Sequence, residues 1–134
     1  MLKKFLLAIL VVFVATEILG FLLHGLILGG VYKATASIWR PDMQKLMWVM
    51  YVSTFLQTIG FVYIYYKLIN PKSTFKGVWY GLTYGFAAGI GMGYATYAMF
   101  PIPYSLAISW FFGSIVIYGI AGWLTGLIVK EKTV

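Results

Sequence analysis

Four stretches of the chain are apolar almost without interruption, and short polar segments separate them. They run from about Phe5 to Val31, Leu46 to Leu68, Gly77 to Phe100 and Tyr104 to Val129. Each is longer than the roughly 20 residues an α-helix needs to cross hydrocarbon at about 1.5 Å per residue. No water reaches the bilayer interior, so each backbone N–H and C=O must be paired within the structure. Runs of this length are therefore predicted as helices. The short alternating segments of a membrane barrel do not occur. The expected fold is an all-α membrane protein: a four-transmembrane-helix antiparallel bundle of two helical hairpins, with a glycine-rich third helix. It forms a single transmembrane domain over residues 1–134.

The connections are short and carry turn residues. Pro101-Ile102-Pro103 makes an abrupt turn, with Pro103 suited to the first position of the fourth helix. Pro41 is suited to the same role for the second helix, and Asn70–Thr74 is a polar turn between the second and third. Lys3 and Lys4 before an apolar stretch resemble a secretion signal. The apolar run continues past Ala15 to Val31, however, and bulky Phe13 stands where a small residue precedes a cleavage site. A retained first helix is expected.

Composition removes the alternatives. The chain is 62% hydrophobic and 10% charged, against roughly 25% charged in soluble domains, and its mean hydropathy is +0.91. A soluble domain of this size has too little interior for that much apolar surface. The absence of cysteine removes disulfides, thiolate metal sites and cysteine nucleophiles. A net charge of +7 raises the possibility of nucleic acid, but the basic residues flank the apolar runs and do not form a face. Lys3, Lys4, Lys67, Lys72, Lys76, Lys130 and Lys132 fall on one side of the bundle, and Lys33, Arg40 and Lys45 on the other. The positive-inside rule then predicts a multi-pass membrane protein with both termini cytoplasmic. The expected partners are the lipid bilayer and other membrane subunits or further copies of the chain, not nucleic acid.

The most specific pattern is a ladder: Gly77, Gly81, Gly85, Gly89 and Gly93 recur at every fourth position of the third helix. Lipid tails are as apolar as leucine, so helices associate in membranes through close backbone approach, which glycine permits. The fourth helix carries its own small residues at Ser105, Ser109, Gly113, Gly119, Gly122 and Gly126, and the first adds Gly25 and Gly29. Spacing alone leaves open whether the ladder meets a helix of the same chain or of another.

Glu17 and His24 are the ionisable groups deep in the spans. Seven residues apart, they share a helix face about 10 Å apart along the axis. A carboxylate at bilayer depth is costly, so Glu17 is expected to face the bundle, protonated or paired. Ser53, Thr54, Gln57 and Thr58 are its candidate partners. Glu17, His24 and Gln57 form an intramembrane polar site that serves either hydrogen bonding or a proton or cation path. His24 as a haem ligand would need a second axial ligand, and one histidine without cysteine or clustered carboxylates makes no ordinary metal site. Met43, Met47 and Met50 suit Cu(I) by chemistry and an apolar packing face by spacing. In the outer loop Trp39, Arg40 and Asp42 form a contact group, with an Arg40–Asp42 ion pair and an interfacial tryptophan. No nucleophile–base pair, paired carboxylates or phosphate loop is present, so no enzyme and no cofactor are expected.

The run Glu17–Pro41, EILGFLLHGLILGGVYKATASIWRP, and the entry to the fourth helix, PIPYSLAISWF, resemble small bacterial four-helix integral membrane proteins with no established activity. The resemblance implies a bacterial inner-membrane origin and transfers no catalytic residue. The expected function is that of a non-enzymatic structural or accessory subunit, or a homo-oligomer former packing through glycine-rich faces. A small proton- or cation-coupled transporter using Glu17 and His24 is the alternative, with a haem-binding electron-transfer subunit behind it.

Overall fold

The computed structural model describes residues 2–130; Lys132, counted above among the inner basic residues, lies outside them. The described residues are helical with no strand. Helix α1 (Leu2–Gly20) runs into a π-helical stretch at Phe21–Ile27, and a short α2 (Gly29–Ala34) follows. A tight 3-10 turn at Met43–Leu46 leads into α3 (Met47–Leu68). Helix α4 (Thr74–Ile90) continues through π-helical Gly91–Ala95 into α5 (Thr96–Met99), and α6 (Tyr104–Val129) ends the fold. Pro103 caps α6 one residue before its first turn, in extended conformation.

Three helical runs are long and apolar enough to cross a membrane: Leu2–Ile27, Met43–Leu68 and Tyr104–Val129. The α4–α5 run is equally helical, but it is not one of the three. It carries six glycines, against two, one and four in those three runs. The same residues that lower its hydropathy make its packing.

Helix α6 is the hub. It lies against α4 on one side and α1 on the other, and α1 in turn lies against α3. The α4–α6 seam is backbone on backbone. A methyl group built on Gly85 would lie 2.5 Å from the Ser114 carbonyl oxygen and 2.8 Å from the Ile115 Cα. At Gly89 and Gly93 it would meet the carbonyls of Phe111 and Ala107 at 2.8 and 2.5 Å. At Gly77 and Gly81 it would overlap the carbonyls of Gly122 and Tyr118. Gly122 and Gly126 of α6 are equally closed by Gly77 and by Ser73. The ladder's partner is therefore a helix of its own chain, matched glycine to glycine at the end of the bundle that holds the Asn70–Thr74 turn, labelled the inner end and its opposite the outer end. Beyond α1 the packing on α6 is by side chain: Leu23 of the π-helical stretch fills the space over Gly113.

Although α4 follows α3 in the chain, the contact between them is made by rings. Phe61 of α3 meets Tyr80, Tyr84 and Tyr118 with centroids 4.6, 5.0 and 5.5 Å away. The Tyr80 hydroxyl donates to the Phe61 carbonyl at 2.8 Å. Phe61, Val62 and Tyr65 with Ala8, Ile9, Val12, Ala121 and Val129 form the inner core. Tyr65 also organises the turn: its hydroxyl donates to the Ser73 carbonyl at 2.6 Å and accepts from the Ser73 N–H at 3.0 Å. Ser73 then caps α4 by accepting from the Lys76 N–H, the ordinary role of serine at a helix start. A second core, Leu28, Ile102, Leu106, Ala107 and Trp110, sits at the outer end. The start of α3 belongs to neither core: from Trp48 to Ser53 six consecutive residues are exposed.

Candidate functional site

The densest polar arrangement lies at the outer end and is built around Tyr32. The π-helical stretch sets it up: the Leu28 N–H bonds to the Leu23 carbonyl five residues back, at 2.9 Å. That wider turn inserts a residue into the helix and reorients His24. Such insertions recur at functional positions. The chain then re-enters helix at Gly29 and brings Tyr32 back alongside His24.

Tyr32 Oη lies 2.6 Å from His24 Nδ1, and the Trp110 indole N–H donates to it at 2.7 Å. An indole N–H only donates, so Tyr32 Oη accepts from Trp110 and points its own hydrogen at His24 Nδ1. This assignment leaves the imidazole proton on Nε2. Trp39 packs over the group, its ring centroid 5.5 Å from Tyr32 and 6.3 Å from Trp110. Its own N–H goes to Thr35 Oγ1 at 3.0 Å. Trp110 is 7% exposed and Leu28 beneath it 4%. Three elements, the π stretch, α2 and α6, are pinned at one hydroxyl, and the outer loop closes over them through Trp39.

Trp39, expected as an interfacial anchor, is half-buried as part of this group. Arg40 and Asp42 do pair, at 3.1 Å between Nε and Oδ1 and 3.2 Å between Nη2 and Oδ2. Both side chains are exposed, where such a pair contributes about 0–1 kcal/mol.

The expected polar trio does not assemble. Glu17 and His24 take partners on different elements. Glu17 is half-buried in α1 and faces Thr54 of α3. The Thr54 hydroxyl donates to the Met50 carbonyl at 3.0 Å, so its oxygen is available as an acceptor and a carboxyl proton is the donor that fits it. Glu17 Oε1 is buried with no hydrogen-bond partner. Gln57 is turned out of the bundle and exposed, as is Ser53. Thr58 is buried but spends its hydroxyl on the Thr54 carbonyl. Of the four candidate partners, Thr54 is the one at Glu17.

Tyr32 and Trp110 are the site residues that the pattern of the chain did not single out. They stand 78 positions apart, and only the fold brings them together. One signal was present: His24, Tyr32 and Trp39 lie within the Glu17–Pro41 run and Trp110 within Pro101–Phe111, the two segments quoted for the family resemblance. Among the described residues no three His, Asp or Glu side chains group to hold a metal ion. No protein-family profile, curated protein or solved structure matches this chain.

Proposed function

We propose that the protein is a non-enzymatic, four-span subunit of a bacterial inner membrane, with both termini cytoplasmic, that works by assembling with other membrane-embedded chains. The fourth span in this reading is α4–α5. From Gly77 to Gly93 its backbone follows α6 for about 24 Å of rise. A helix locked to a spanning helix over that length shares its depth. The observation that carries the assembling role is the outer half of α3, where all six residues from Trp48 to Ser53 are exposed. The glycine ladder does not serve assembly in this reading, because α6 covers it.

The test is the mass of the protein in native nanodiscs, drawn directly from membranes. The reading expects a complex heavier than one chain. A single species of one chain would end it. The span count is checked by tags at the two termini: accessibility from the same side is expected, and opposite sides would leave three spans.

A second reading has one observation in its favour. The unpartnered Glu17 Oε1 is a buried acceptor at bilayer depth, and intramembrane acids commonly mark proton or cation paths. In liposomes, Glu17→Gln keeps the shape and the hydrogen-bonding capacity but cannot titrate. Cation or proton flux present in the wild type and absent in Glu17→Gln would establish this path. Equal behaviour of the two assigns Glu17 to the α1–α3 contact.

A further inference from the structure

Gln57 stands within two residues of the middle of the Met43–Leu68 run, so it lies at the centre of the hydrocarbon layer. It is exposed and makes no hydrogen bond among the described residues. Its amide carries two N–H donors and a carbonyl acceptor. Hydrocarbon offers partners to neither, and an amide without partners in an apolar medium is costly. The surroundings of Gln57 suit a second helix. Met50, Ser53, Gln57, Gly60 and Ile64 follow one another at steps of three and four, the spacing of a seam between two helices wound around each other. Met50, Ser53 and Gly60 are exposed, and a methyl group on Gly60 would meet nothing within 4 Å. This stripe is about a quarter turn from the face of α3 that buries Thr58, Phe61, Val62 and Tyr65, so an occupant would not disturb the inner core.

Building on the assembling role above, we infer that the occupant of this stripe is a second copy of the same chain, joined about a two-fold axis along the membrane normal and centred on Gln57. The reason is symmetry. Copies inserted in one orientation can pair two-fold only about the membrane normal, and that axis brings each residue of α3 to its own counterpart at the same depth. Gln57 then faces Gln57 of the second copy, and each amide carbonyl accepts an N–H from the other. A different partner would have to place a donor and an acceptor at that depth and angle; the second copy supplies both. Gly60 lets the two helices approach one turn below, and Ser53 adds a hydroxyl one turn above. Side-chain hydrogen bonds of this kind hold transmembrane helices together.

The chain has no cysteine, so single cysteines report contacts against no background. Ser53→Cys and Gly60→Cys, oxidised in native membranes, are expected to form disulfide-linked dimers. Val52→Cys, on a different exposed face of α3, and Phe112→Cys, on the exposed side of α6, are expected to stay single. All four positions are open to the surroundings, so none of these changes strains the fold. Gln57→Leu keeps the apolar seam and is expected to raise the dimer dissociation constant in detergent about fivefold to thirtyfold. Gln57→Asn should restore much of that affinity. Dimers that cross-link through Phe112→Cys and not through Ser53→Cys overturn the seam but keep the assembling role. Ser53→Cys shielded from thiol reagents yet never forming a dimer overturns the second copy in favour of a different partner. A single chain under all conditions overturns both.

Discussion

The two seams on either side of α4 solve the same problem with opposite means. Against α6, α4 removes its side chains, and the helices touch through carbonyl oxygens and Cα atoms. Against α3, it extends Tyr80 and Tyr84 to meet Phe61, and rings fill the gap. The glycine seam has no adjustable part. Every atom a substituent would strike at Gly77, Gly81, Gly85 and Gly93 is main chain, except that Ser114 Cβ also lies near Gly89. The ring seam is adjustable, because each ring turns about two bonds and fills irregular volume by tilted and edge-on contacts. Rigidity and register therefore come from α6, and volume from α3.

The difference is exposed most sharply at Gly81. Gly81→Leu places a branched side chain against the Tyr118 carbonyl, and no rotamer avoids it. The expected outcome is no folded protein recovered after mild extraction, against a normal yield of Leu82→Ala. A normal yield of Gly81→Leu with unchanged melting would mean that the backbone seam is not essential. Phe61→Ala tests the other side. It removes a ring that is 1% exposed and leaves a void between three tyrosines, at a cost of about 3 kcal/mol or more. The protein should still fold, with a lower thermal midpoint, since the α4–α6 register does not depend on it. Loss of all folded protein would place the organising contact in the ring seam instead. The smallest effect belongs to Gly20→Ala, where a methyl group meets nothing within 4 Å. Stability should be unchanged or higher by up to about 1 kcal/mol, the helix preference of alanine over glycine. A loss there like that at Gly81 would show that glycine matters in this protein for a reason other than close approach.

Features that repeat along one helix were legible in the sequence. The every-fourth glycine spacing identifies a packing face whatever covers it, and the apolar runs locate the long helices. The identity of the covering helix was not legible. Gly122 and Gly126 advertise a small surface on α6, but nothing local ties them to Gly77. The same limit explains Gln57. Helical register turns each residue about 100° from the next, so Gln57 is turned about 60° from Thr54 and points out of the bundle. Thr58 shares the Thr54 face one turn on, where its hydroxyl goes to the Thr54 carbonyl, and only Thr54 reaches Glu17. The Tyr32 group was hidden twice over. Its members come from distant segments, and the π-helical stretch at Phe21–Ile27 shifts His24 off the face that a regular helix from Glu17 would give it. An unbroken helix over Phe5–Val31 was the expectation; one inserted residue and a restart at Gly29 are what create the site.

The turn at Phe100–Pro103 has a consequence for how the chain comes to be assembled. Gly93 and Ala107, the contact nearest this turn, are joined by a short piece of chain, so closing that loop costs little entropy. Each further rung, Gly89 on Phe111, Gly85 on Ser114, Gly81 on Tyr118 and Gly77 on Gly122, then adds to a pair already aligned. The α4–α6 hairpin can close like a zip from its outer end inward, before α1 or α3 is in place. Its contacts are the most local of the long-helix seams, and topologies rich in local contacts fold fastest. Helix α1 is synthesised well before α6, yet the π-helical stretch that continues it finds its place by laying Leu23 over Gly113 of that later helix.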